Sequence, residues 1–197
     1  MWPWEHVIVG YVAYSLFSHL VYRESPSGAS AVAVVFASLL PDLIDKPLAW
    51  QFGVFPGGYA IGHSIFFAVP LSIFVGVLAH HWGRTQVGLA FAIGYLLHLP
   101  SDLLPPYVET GEIPFERILW PIEQAESPDH GGLIDGFFNN FLPYVTQLGS
   151  MELTPYLYMQ FALAGFAFLL WIYDGMPILR ELVLGTYRRV GSPSGRS

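Results

Sequence analysis

Apolar residues run through this chain in blocks, and the polar residues gather where the blocks begin and end. Blocks near residues 5–22, 29–47, 59–79, 86–104 and 155–173 each approach the ~20 residues that a helix needs to cross a bilayer. The pattern therefore predicts an all-α, polytopic transmembrane bundle of about five spans. The second block is short, and its end, from Leu40 and Pro41 to Pro47, carries Asp42 and Asp45. That end is expected to dip into a polar cavity, with Pro47 stopping the helix. Turn-forming Gly, Pro and Ser at 23–28 and 53–58 separate the first three blocks. Residues 105–154 are too long for an idle connection and predict a substantial outer loop. Its apolar piece, 133–148, is expected to lie at the interface or to form a lid. In the tail, Leu179, Leu182, Val183 and Tyr187 recur at helical spacing with arginines between them. Residues 176–189 thus predict an amphipathic helix on an anionic membrane face, followed by a disordered end. The expected organisation is one bundle over residues 1–175 and a tail over 176–197, with no internal repeat.

Composition sharpens this picture. Of 197 residues 53% are hydrophobic and only 12% charged, about half the usual share, which places the chain in the membrane class. A net charge of −7 with a single lysine excludes a nucleic-acid partner, which would need a basic footprint. The absence of cysteine removes disulfides and thiolate ligands, so any metal must be held by nitrogen and oxygen donors. The first six residues lack the basic region and the small-residue cleavage site of a signal peptide, and the first span is expected to be retained.

Basic residues orient the spans. Arg23, Arg84, Arg180, Arg188, Arg189 and Arg196 fall on one side of a five-span frame, and Lys46 and Arg117 on the other. That bias predicts a multi-pass protein of the cell membrane with a cytoplasmic C-terminus. His6 opens the first block, Asp42 and Asp45 close the second, His63 opens the third, and His98 and Asp102 close the fourth. Alternating span directions bring all six to one end of the bundle, the extracytoplasmic one. His98 and Asp102 are four residues apart, hence on one helical face, and Asp42 and Asp45 are three apart.

Each residue also has a plainer reading. His6 can be an interfacial histidine beside Trp2 and Trp4, the aspartates can be helix-end carboxylates paired with Lys46, and Ser64 can simply cap a helix. The His98 and Asp102 pair can be a structural hydrogen bond. A metal site explains the shared end in one step, because imidazole and carboxylate are the ligands a cysteine-free site uses. Ionisable groups inside membrane segments are functional by default. His19, His80 and His81 lie at the opposite end and read as interfacial, Tyr95 as packing with a polar tip. His130, in Asp129-His130-Gly131-Gly132, reads as a further ligand or a substrate contact.

These motifs resemble the membrane-bound metal-dependent hydrolases of the YdjM type. His6 followed by Gly10, the run Leu40-Pro41-Asp42 with Asp45, Gly62-His63-Ser64, His98 with Asp102, and Trp120-Pro121 look like that family's motifs. The resemblance covers residues 1–121. Gly62 stands where the family has a threonine, and Pro56-Gly57-Gly58-Tyr59-Ala60 replaces a basic stretch, so an anion-binding arginine there would be lost or relocated. The family is similar in turn to zinc phospholipase C type enzymes.

The resulting expectation is an integral membrane hydrolase acting on phosphoester or ester bonds of lipid-like substrates, with the bilayer as its surroundings. His6, His63, His98 and Asp102 are the first-choice metal ligands and Asp42 the next, enough donors for two ions. Asp45, with Asp42, is expected to orient or deprotonate the attacking water. The histidines favour zinc, while the carboxylates also suit manganese or magnesium. The rival readings are a non-catalytic membrane protein with a structural metal or His/Asp network, and a transporter. The apolar span centres argue against the transporter, because an ion pathway needs polar groups through the bilayer depth.

Overall fold

In lipid every backbone N–H and C=O must find its partner inside the segment, so long apolar stretches fold as helices. The computed structural model describes residues 1–125, 131–150 and 154–183, and these are helical with no strand among them. The helices are α1 (Pro3–Val21), α2 (Gly28–Lys46), α3 (Ile65–His81), α4 (Thr85–Thr110), α5 (Leu133–Gly149) and α6 (Pro155–Tyr173). A π turn (Pro47–Gln51) continues α2, and a 3₁₀ turn (Phe115–Arg117) follows α4. Among the described residues three stretches are long and apolar enough to cross a membrane: α2 with its π turn, α4 and α6. The apolar helix α3 is shorter, and α1 packs beside α2 and α4 in the same bundle.

Two boundaries differ from the sequence expectation, and at a third the chain goes on: α2 ends at Lys46 with Pro47 as its cap, and a π turn follows in which the Phe52 N–H reaches the Pro47 carbonyl (3.2 Å). Residues 59–64 form a turn instead of the start of the third helix, which begins at Ile65 on the Ser64 cap. The fourth helix runs through Pro105 and Pro106 to Thr110, where the missing N–H groups cost little at an exposed end. The expected outer loop thus holds the end of α4, the 3₁₀ turn and α5.

The bundle turns its apolar surface outward. Phe66, Val69, Ile73, Phe74 and Val77 of α3, and Phe161, Phe166, Phe168 and Leu169 of α6, are exposed. Its interior is small and polar, with Ser15, Ser18, Ser30, Ser38 and Ala37 buried beside Tyr14 and Tyr95. Close approach explains this. A Cβ on Gly94 would lie 2.6 Å from the Val34 carbonyl, and one on Gly10 would lie 2.2 Å from Ser38 Oγ. Only bare backbone at these points lets α1, α2 and α4 touch.

The helix α6 runs parallel to α1 and is fastened at both ends. Near its start Tyr156 Oη (2.8 Å) and Gln160 Nε2 donate to the buried Glu5. Just past its end, Asp174 accepts from Tyr11 Oη (2.6 Å) and Ser15 Oγ (2.7 Å), with His19 Nε2 2.7 Å from its other oxygen. Between the two fastenings lies an apolar cavity of about 320 Å³, lined by Val7, Ile8, Tyr11, Ala164, Phe168 and Trp171 among others. The tail begins as a helical turn at 179–183, whose Glu181 accepts the Gly28 N–H (2.8 Å); the rest of the expected tail helix lies outside the described residues.

Candidate metal centre

The turn at 59–64 enters the bundle between the ends of α2 and α4 because Asp45 gathers its backbone. The Asp45 carboxylate accepts N–H groups from Ala60 (2.7 Å), Gly62 (2.8 Å) and His63 (3.0 Å). Gly62 is required by proximity, since a Cβ there would meet the Pro41 carbonyl at 2.8 Å. That contact accounts for the glycine where the resemblance leads one to expect threonine. Tyr95 Oη donates to the Gly62 carbonyl (2.8 Å), and Ser64 Oγ to the Trp120 carbonyl (2.5 Å), so α4 and the segment after it hold the turn in place.

Asp42, His63, His98 and Asp102 converge here, all buried, each offering one ligand atom, and these atoms lie within 4.8 Å of one another. His63 Nε2 is 3.1 Å from His98 Nε2, 3.4 Å from Asp42 Oδ1 and 3.3 Å from Asp102 Oδ2. His98 Nε2 is 3.4 Å from Asp102 Oδ2 and 3.9 Å from Asp42 Oδ1. Ligands held about 2.0–2.1 Å from a tetrahedral ion are about 3.3–3.4 Å apart, so four of these five distances are close to an edge of such a site and the His98–Asp42 distance is longer.

The tautomers turn this geometry into an argument. His98 Nδ1 lies 2.7 Å from the Ser38 carbonyl, which can only accept, so Nδ1 carries the proton. His63 Nδ1 faces the Asp45 carboxylate at 2.8 Å, which likewise fixes a proton on that nitrogen. In the neutral rings both Nε2 atoms therefore present lone pairs, toward each other and toward two carboxylate oxygens. Four acceptors facing one point repel unless a proton or a metal ion sits among them. The donor set fits a divalent ion, with Asp45 and the Ser38 carbonyl orienting the imidazoles as outer partners of metal-bound histidines do.

The other expected residues lie around this group. His6 stacks on His98 (ring centroids 3.7 Å apart) and places Nε2 3.1 Å from the second oxygen of Asp102, out of line for a hydrogen bond. The same oxygen accepts from the amino group of Met1 at 2.9 Å. Asp45 sits behind His63, its oxygens turned to backbone and ring N–H groups. His80 meets Thr85 and His19 meets Asp174, both away from the centre, and His130 lies outside the described residues.

Lys46 donates to Asp42 Oδ2 (2.6 Å), the pairing that the plainer reading of the aspartates gave. One feature escaped sequence reasoning: Arg117 donates to the Asp102 carbonyl (3.1 Å) while its guanidinium lies over the Tyr59 ring at 4.8 Å, and nothing local signals it. The amphipathic helix α5 lies across this end, from Leu133 N–H on Gln51 (3.4 Å) to Tyr144 packed against Trp2 (5.0 Å) and Trp4 (5.8 Å). Burial and the Glu5 charge push the Tyr144 phenol above its usual range, keeping it neutral.

Against protein-family models, residues 1–178 match the one described as YdjM inner membrane protein. The match extends past the motifs at 1–121 and takes in α6. No curated protein and no solved structure matches the chain.

Proposed function

This chain belongs to the YdjM inner membrane protein family, and from that premise we propose that it is a membrane-embedded, metal-dependent hydrolase of phosphoester or ester bonds in lipid-like substrates. The observation that carries the reading is the facing of four buried acceptor atoms from Asp42, His63, His98 and Asp102. A divalent ion bound there, with zinc favoured over manganese or magnesium, would acidify a water and polarise the scissile group. The chain supplies the rest. Asp45 and the Ser38 carbonyl hold the two imidazoles with Nε2 forward. His6 packs on His98 and backs Asp102, a supporting place with its nitrogens available to a second ion.

Asp42 is the corner where water enters. It is the most exposed of the four, 7% against 2% or less, and the one farthest from His98. In hydrolysis the water oxygen bonds to the phosphorus or acyl carbon, Asp42 takes the water's proton, and the proton passes to the departing alkoxide oxygen. A second reading has its own support: four protein ligands close a tetrahedral site, the pattern of structural zinc.

The deciding experiment purifies the full chain in neutral detergent, measures metal by elemental analysis, and assays lipid phosphoesters and carboxylic esters in mixed micelles. At least one metal per chain is expected, with turnover abolished by a chelator and restored by zinc or manganese. A full metal complement with no turnover of either class leaves the structural reading.

A further inference from the structure

The chain has eight lysines and arginines, and two of them flank this acidic centre. They arrive from different elements and lean on neighbouring residues of one turn. Lys46, on the last turn of α2, sits beside Gly58, with Cγ 3.6 Å from where a Cβ would be. Arg117, from the 3₁₀ turn after α4, lies over the ring of Tyr59, whose edge meets the His63 ring at 4.8 Å. Each touches a member of the four-residue group from outside, Lys46 through Asp42 Oδ2 and Arg117 through the Asp102 carbonyl. Among the described residues one Arg117 guanidinium N–H bond is made, to that carbonyl, while the group has five to give.

The charges decide what this end of the bundle attracts. Three carboxylates, Asp42, Asp45 and Asp102, exceed the charge of one divalent ion by one. Lys46 and Arg117 reverse the deficit, so the loaded site carries one positive charge even without the amino group of Met1. A neutral carboxylic ester gains nothing from that excess, whereas a phosphate gains both the charge and a planar fork of donors. We infer that Arg117, aided by Lys46, forms an anion subsite that holds the phosphate group of the substrate beside the metal. This inference rests on the hydrolase reading above and narrows it to phosphoesters. Arg117 and Lys46 also give a physical counterpart to the basic stretch missing before His63, supplied from two other elements.

The test is calorimetric titration of the zinc-loaded full chain in neutral detergent, with inorganic phosphate, glycerol 1-phosphate and dihexanoyl phosphatidic acid as probes. Wild type is expected to bind all three saturably. Arg117→Gln should weaken each at least about tenfold with zinc content unchanged, and Arg117→Lys about threefold or more, because an ammonium keeps the charge but loses the fork. Arg84→Gln, exposed at the opposite end, should bind as wild type does. Phosphatidic acid bound at least tenfold tighter than phosphate identifies a lipid headgroup as the source, and equal affinities a soluble phosphoester. Either keeps the subsite. Zinc-loaded wild type blind to phosphate, or a folded Arg117→Gln chain that binds it as wild type does, overturns the inference. If Arg117→Gln does not fold, Arg117→Lys decides, and wild-type affinity there overturns it equally. Failure to take up zinc is seen before any phosphate is added and refutes the metal reading instead.

Discussion

The division of labour between Asp42 and Asp45 rests on which way each carboxylate faces. Three residues apart on one helix, they were expected to share the attacking water, yet only Asp42 turns an oxygen to the cluster. Asp45→Asn separates an orienting from a water-activating role. If Asp45 orients His63, an amide places a donor against donors, and metal affinity should fall about 10–100-fold, the usual worth of an outer partner. The buried N–H groups left without a full acceptor should also lower stability by about 1–3 kcal/mol. If Asp45 activated water, metal and melting temperature would hold while turnover collapsed. Metal titration and thermal unfolding in detergent distinguish the two. His98→Ala removes a ligand outright and should cost more metal affinity than Asp45→Asn. The convergence of His63, His98 and Asp102 was legible from polar residues alternating at block ends. The facing of Asp45 was not, because it depends on a turn backbone that no periodicity encodes.

Helix crossings set how closely those residues can meet. His98 stands one turn beyond Gly94 on α4, and its Nδ1 reaches the Ser38 carbonyl only because α2 and α4 approach at Val34 and Gly94. In Gly94→Ala the added methyl would press 2.6 Å from a backbone oxygen that cannot rotate away. A loss of about 1–3 kcal/mol is expected, as for other overpacked interiors, with weakened metal binding because α2 and α4 separate at the ligand level. Gly165→Ala on α6 meets nothing within 4 Å and should leave both properties unchanged or raise stability slightly. Equal effects of the two changes, read by thermal unfolding and metal content, would contradict the crossing argument. The apolar blocks made the helices readable and placed α6 at its observed limits. The fourth block was read as ending near 104, whereas α4 runs on through Pro105 and Pro106 to Thr110.

Across the whole molecule, the basic residues still argue for a centre on the extracytoplasmic side. A reporter joined after Arg189 is expected in the cytoplasm, and an epitope placed between Glu109 and Glu126 is expected to be reached from outside intact cells. The opposite labelling would reverse the bundle and turn the site toward the cytoplasm. The two fastenings of α6 were invisible in the sequence for a plain reason. Tyr11, Ser15 and His19 share a helical face, but their partner Asp174 is 155 to 163 residues away. That separation bears on how the protein is made. The stretch from α1 to α4 emerges from the ribosome first and carries the four converging residues, three on helices and His63 in the turn before α3, without help from α6. When α6 follows, its Asp174 finds all three of its partners on α1, the earliest helix. A copy with α1 misplaced would strand that carboxylate in or near lipid, at a cost it cannot offset. The docking of α6 thereby reports whether α1 is in its place.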